Sequence, residues 1–188
     1  MALVLNGSND TITGLQINSA NIVDGSIVNA DINSSAAIAS TKISGNLGKA
    51  LQVVEGSTST QVAISTTTYT DIGISAAITP QTNSKVLVLV NFLHNMNSNQ
   101  EEGFGIKLFR GTNVLYTSPT NPSEWYAYTA SSGQFKNRAT FHYYDAAPSG
   151  DGSTSITYKI QAATYGSRTC EFAVNGARST ITLIEIGA

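Results

Sequence analysis

Charge is scarce in this 188-residue chain: Asp, Glu, Lys and Arg together make up 12% of it, about half the usual globular share. The formal net charge is −2, and no stretch concentrates Lys or Arg. The electrostatic footprint of a nucleic-acid-binding surface is therefore missing, and so is the basic face of a membrane-lying helix. Neither nucleic acid nor membrane is expected among its partners. With a single cysteine, Cys170, an intrachain disulfide is impossible and a cysteine-based structural zinc site is excluded. That residue reads as a small buried hydrophobe in a strand. No apolar run approaches the ~20 residues of a membrane span. The opening Met1 to Gly7 has no basic segment and too short an apolar run for a signal peptide, so a protein made in a cytoplasm without a cleaved leader is expected.

What the chain has instead is Ser, Thr, Asn and Gly in quantity, and a row of isoleucines at a fixed step. Ile12, Ile17, Ile22, Ile27 and Ile32 are spaced by five, and Ile38 and Ile43 resume the step after one inserted residue. Five matches neither the 3.6-residue helix nor the two-residue strand alternation. In Ala20-Asn21-Ile22, Gly25-Ser26-Ile27 and Ala30-Asp31-Ile32 a small residue sits two before each isoleucine, which lets backbones approach closely. Preceded in 1–11 by a short strand-like run and a turn, residues 12–47 thus read as a thin repetitive shaft. Its few large side chains cannot offset the entropy of ordering it alone. The predicted remedy is several copies wound together, with Ile17, Ile22, Ile27, Ile32, Ile38 and Ile43 forming a shared apolar core. An extended shaft of several chains is expected in preference to a compact β-helix stub, because fewer than two coils cannot stabilise a solenoid.

From residue 48 to 188 the pattern changes to strands punctuated by turns. Strands are predicted over 60–65, 69–77, 85–93, 103–109, 113–117, 133–144, 155–165, 169–174 and 179–186. The last is apolar on both faces and reads as central in its sheet. Turn chemistry at Pro80 to Asn83, Arg110 to Asn113, Ala147 to Gly152 and Asn175-Gly176 separates them. The whole is read as an all-β chain whose 48–188 region is an antiparallel β-sandwich of jelly-roll type. The only helical reading is a turn around Ser44 to Leu51.

Candidates for chemistry are few. His142 and Asp145 can be drawn as an acid–base pair, but no nucleophile elbow accompanies them. Glu101-Glu102 is adjacent, so the two should face opposite sides of a strand or sit in a solvated loop. His94 reads as structural, and Gly103-Phe104-Gly105 lacks the third glycine of a dinucleotide loop. No catalytic residue, metal site or cofactor is expected, and the chain reads as a non-enzyme. Pro119 to Tyr128 carries the sole tryptophan, and Trp125, Tyr126 and Tyr128 are candidate surface-contact residues, since aromatic rings anchor interfaces and stack on sugars.

The string from Ile22 through Asp24-Gly25-Ser26-Ile27 to Ile43 resembles the repeat of tail-fibre and related virion proteins of bacteriophages, notably those of cyanobacteria and other marine bacteria. Met1-Ala-Leu-Val-Leu-Asn-Gly-Ser8 is similar to the start of many such proteins. Ser84 to Val90, Leu108 to Thr112 and Ser179 to Ile186 look like the C-terminal β-sandwich of that group. The resemblance implies a homotrimeric virion fibre. Its N-terminal part would bind other virion proteins, such as a tail adaptor, nozzle or capsid, and its head would contact host surface, with a cell-surface glycan as one partner. Two further readings are a capsid decoration or cement protein and a carbohydrate-cleaving fibre enzyme.

Overall fold

A computed structural model describes Ile27 and residues 50–96, 101–119, 121–128 and 134–187. The chain divides into two units, Met1–Ser44 and Gly45–Ala188, and the architecture below is that of the second. Ile17, Ile22, Ile32, Ile38 and Ile43 lie outside the described residues; Ile27 is exposed.

Among the described residues eleven strands follow in order: β1 (Ala50–Thr58), β2 (Val62–Ile64), β3 (Thr70–Ile78), β4 (Lys85–Met96), β5 (Glu101–Arg110), β6 (Asn113–Thr117), β7 (Trp125–Tyr128), β8 (Phe135–Asp145), β9 (Ile156–Thr164), β10 (Cys170–Phe172) and β11 (Ser179–Ile186). β4 shows how the sequence makes a strand. Val86, Val88, Val90 and Phe92 alternate with Leu87, Leu89 and Asn91, and the first set is buried. β4 carries β11 and then β10 along one edge and β8 along the other. β1 and β2 flank β11 and β10, so the first sheet runs β1-β11-β4-β8. In the second, β9 lies between β3 and β5, and β6 and β7 share the far edge of β5. All pairings are antiparallel. The chain moves between sheets so that β1-β11-β4-β8 faces β3-β9-β5-β6/β7, the order of a jelly-roll sandwich. β11 lies between β1 and β4, as its two apolar faces predicted.

Three readings need correction. β1 occupies part of the stretch read as a helical turn, since Ala50 and Leu51 are extended. Its inward positions, opposite Glu185, Leu183, Ile181 and Ser179, are Gln52, Val54, Gly56 and Thr58, too polar and small to signal a strand. The Trp125 segment, read as lying between strands, is itself β7. β8 starts at Phe135, so Gln134 is not part of the strand predicted over 133–144, and Gly133 lies outside the described residues.

The two sheets touch tightly along β1 and β3. A Cβ on Gly56 would lie 1.8 Å from the Ser75 carbonyl oxygen, so Gly56→Ala must push backbone apart. A loss of about 2–3 kcal/mol is expected in urea unfolding, the upper range for overpacking. A loss under about 0.5 kcal/mol would mean that this edge yields freely. The opposite edge, where β8 faces β6 and β7, closes only in part. Tyr116 rests on Phe141 with ring centroids 4.9 Å apart, sealing the β6 half, while the described residues of the β7 half leave a cleft.

Candidate binding surfaces

The residues after β6 fold back over β5. Ser118 Oγ accepts from the Ile106 amide at 2.7 Å, and a Cβ on Gly105 would stand 2.7 Å from that of Ser118 and 3.0 Å from Pro122 Cα. This explains the glycine that sequence reading left without a role: backbone crosses it. The fold-back delivers β7 to the edge of β5, with Trp125 opposite Phe104, Tyr126 opposite Gly103 and Tyr128 opposite Glu101. Directly paired residues share a face, so Trp125 points between the sheets with Phe104. Their rings stack at 5.0 Å and 7°, and Phe92 meets the indole edge-on at 6.1 Å. Tyr126 and Tyr128 point the other way, outward, Tyr128 being 68% exposed. The structure therefore does not bring the three aromatic candidates together on one surface.

The gap between β7 and β8 is a cleft of about 340 Å³ bordered by His94, Glu124, Trp125, Phe135, Asn137 and Thr140. Its polar and apolar parts come from three segments, β4, the start of β7 and β8. Glu124, just before β7, is fixed by Tyr116 Oη, which donates to it at 2.8 Å, and by Ser118 Oγ. His94 packs at 4.8 Å from Phe104 and 6.1 Å from Phe135. It is 1% exposed, and its Nδ1 has no hydrogen-bond partner among the described residues. Burial lowers its pKa to about 4, so the ring is neutral at pH 7. Sequence reasoning missed Glu124, Phe135 and Asn137, which no linear spacing connects.

The acid–base candidates separate. Glu101 is exposed and Glu102 buried, the opposite-face arrangement expected of neighbours on a strand. Cys170 is fully buried in β10, its sulfur 3.8 Å from Glu102 Oε1. Burial and that carboxylate push the thiol pKa well up, which keeps it protonated and unreactive. His142 faces outward, whereas Asp145, three positions on, turns inward. Asp145 accepts from Arg110 Nη1 at 2.9 Å on both oxygens and from Tyr158 Oη at 2.7 Å. Burial, then the Asp145 carboxylate, raises the Tyr158 pKa far above its ordinary value. This is a structural lock between strand ends.

The outer face of the first sheet carries a row in register across four strands: Val53, Ile184, Leu87 and Tyr144. Val53 is 62% and Tyr144 53% exposed, and Leu89 in the next row is exposed too. Beyond Leu89, polar contacts take over: Arg138 donates to Asn91 Oδ1 at 2.5 Å and Arg178 pairs with Glu55. Among the described residues no helix is long and apolar enough to cross a membrane.

No protein-family model and no curated protein matches the chain. Among solved structures it is similar to a chain of infectious bursal disease virus Gx strain, with 15% identity and a TM-score of 0.40 over 72% of this chain and 36% of that one. A chain of the Gt strain gives 14% identity and 0.40 over 73% and 37%. This protein spans little more than a third of either, and likeness at that level carries no argument about function.

Proposed function

We propose that this chain is a non-enzymatic structural component of a bacteriophage virion, a homotrimeric fibre with residues 1–47 as attachment segment and shaft and the jelly roll as head. The observation that carries the reading is the apolar row on the outer sheet face. An exposed strip of Val, Ile, Leu and Tyr costs solubility unless protein covers it. A second copy is the occupant, for a reason of connectivity. The isoleucine repeat ends seven residues before Ala50, the first residue of β1, and Val53 stands three residues further on. Heads joined through wound shafts would be held at high local concentration, so that their apolar faces meet one another before other proteins. The repeat, which resembles those of phage fibres, supports the same assignment from the sequence side. So does the separation of His142 from Asp145 and of Glu101 from Glu102, which leaves neither pair arranged for acid–base work. The head would meet host surface or other virion proteins.

The purified chain is expected to scatter light as a trimer, three times the 19.7 kDa of one copy. Ile27→Asp with Ile32→Asp should release monomers, because it places charges in the shared row. Val53→Asp with Leu87→Asp should loosen the heads so that protease cuts between shaft and head at least tenfold faster. A 19.7 kDa species at micromolar concentration would defeat the proposal. Capsid decoration is the second reading, since the same face could lie on a shell. Imaging virions with an appended tag separates the two; Cys170 is too buried to carry a label.

A further inference from the structure

We infer that the cleft between β7 and β8 is a binding site for an uncharged pyranose ring, the sugar class through which the proposed fibre head would meet a glycan; the biological setting, though not the site, rests on that reading. Four observations converge on one volume. The cleft measures about 340 Å³, within the range of small-molecule sites and sufficient for one sugar ring. Its apolar wall is Trp125, held rigidly because Phe104 stacks on one face of the indole and Phe92 abuts its edge. A ring immobilised in this way offers contact area at little entropic cost, which suits the C–H face of a pyranose.

The polar groups around that wall match hydroxyls rather than charge, since Arg138, which also borders the cleft, turns its guanidinium to Asn91 Oδ1 and the Arg178 carbonyl. Glu124 accepts one hydrogen bond on each carboxylate oxygen from Tyr116 and Ser118, and each oxygen keeps a lone pair for a sugar hydroxyl. Asn137, exposed on β8, supplies an amide whose Oδ1 accepts from the Arg138 N–H at 2.8 Å and whose NH2 can donate to a sugar oxygen. His94 is neutral and contributes an imidazole whose Nδ1 is unpartnered among the described residues. A buried nitrogen without a partner weakens the fold, and a ligand hydroxyl would relieve that. An anionic ligand would meet the Glu124 carboxylate on the wall, and a purely apolar one would strand Glu124, Asn137 and His94 without water.

Trp125 is the sole tryptophan, so its emission reports this cleft alone. The full-length protein is titrated with methyl α-D-glucopyranoside, methyl β-D-galactopyranoside and the methyl glycoside of N-acetylglucosamine, each to 100 mM. At least one is expected to change the emission saturably with a millimolar midpoint. Asn137→Ala and His94→Phe should each weaken that midpoint at least fivefold with an unchanged circular dichroism spectrum. Asn137 is exposed, so its variant will fold in any case. No saturable change with any of the three glycosides overturns the inference, and so does a saturable change that Asn137→Ala and His94→Phe both leave intact. Light scattering on the same samples keeps the assembly reading separate: trimers without saccharide binding sink the cleft alone, and monomers that bind sink the fibre alone.

Discussion

Asp145→Ala is expected to lower the stability of the jelly roll by about 3–4 kcal/mol, the cost of removing one partner from a buried ion pair. Asp145 accepts from Arg110, from Tyr158 and, at 3.2 Å, from the Ala147 amide. Tyr158 is fully buried, so its hydroxyl would be left without an acceptor in a place water cannot reach. The Arg110 side chain keeps 17% of its surface exposed, which lets water recover part of its solvation and holds the loss near the lower end of the range. Asp145→Asn should cost less, because its amide oxygen can still accept from Tyr158. Converting both partners, Arg110→Met with Asp145→Leu, should cost less than Asp145→Ala, since no stranded charge remains. Urea unfolding followed by circular dichroism measures all three. A loss under about 1 kcal/mol for Asp145→Ala would show that the lock contributes little.

Acidification from pH 7 to pH 5 is expected to cost about 2 kcal/mol through His94 alone, at about 1.4 kcal/mol per pKa unit. The sign follows from where the proton binds. In the unfolded chain the imidazole takes a proton near its ordinary 6.5, while in the folded chain burial defers uptake to about 4. Between those values only the unfolded chain gains the proton. Stability is therefore full above pH 6.5, falls as pH falls, and stops falling below about pH 4. Stopping at pH 5 keeps ordinary carboxylates mostly ionised, so they add little slope. His94→Phe should flatten this slope and raise stability at neutral pH by about 1 kcal/mol, because it replaces an unpartnered buried nitrogen with ring carbon. Equal pH slopes for the parent and His94→Phe would refute the account.

Where a strand buries one face of large side chains, its place could be read from alternation. The limits of β6 and β11 agree with the sequence reading to the residue, and β4 differs only by its last three positions. β1 escaped because it is the edge at which the sheets close. Its inward positions there must be small or polar: Gly56 against Ser75, and Gln52 bonded to Glu185 at 2.6 Å. β7 escaped because Pro119 and Pro122 dominate the local signal, although Trp-Tyr-Ala-Tyr is strand-forming in itself. The same limit applies to the sites. The aromatic residues of 125–128 stood out as a type, but which of them would share a face depended on β7 being a strand.

Composition and spacing determined by themselves that the described region is all-β, that β11 is central and that Cys170 is a buried structural thiol, because each follows from local alternation or from a count. Tertiary structure decided the rest. The cleft brings together residues from β4, β8 and the start of β7, up to 46 positions apart, and the apolar row needs four strands aligned in register. Asp145 meets Arg110 and Tyr158 rather than His142 for the same reason: an odd step along a strand parts neighbours to opposite faces, while pairing across the sandwich joins residues the chain holds far apart.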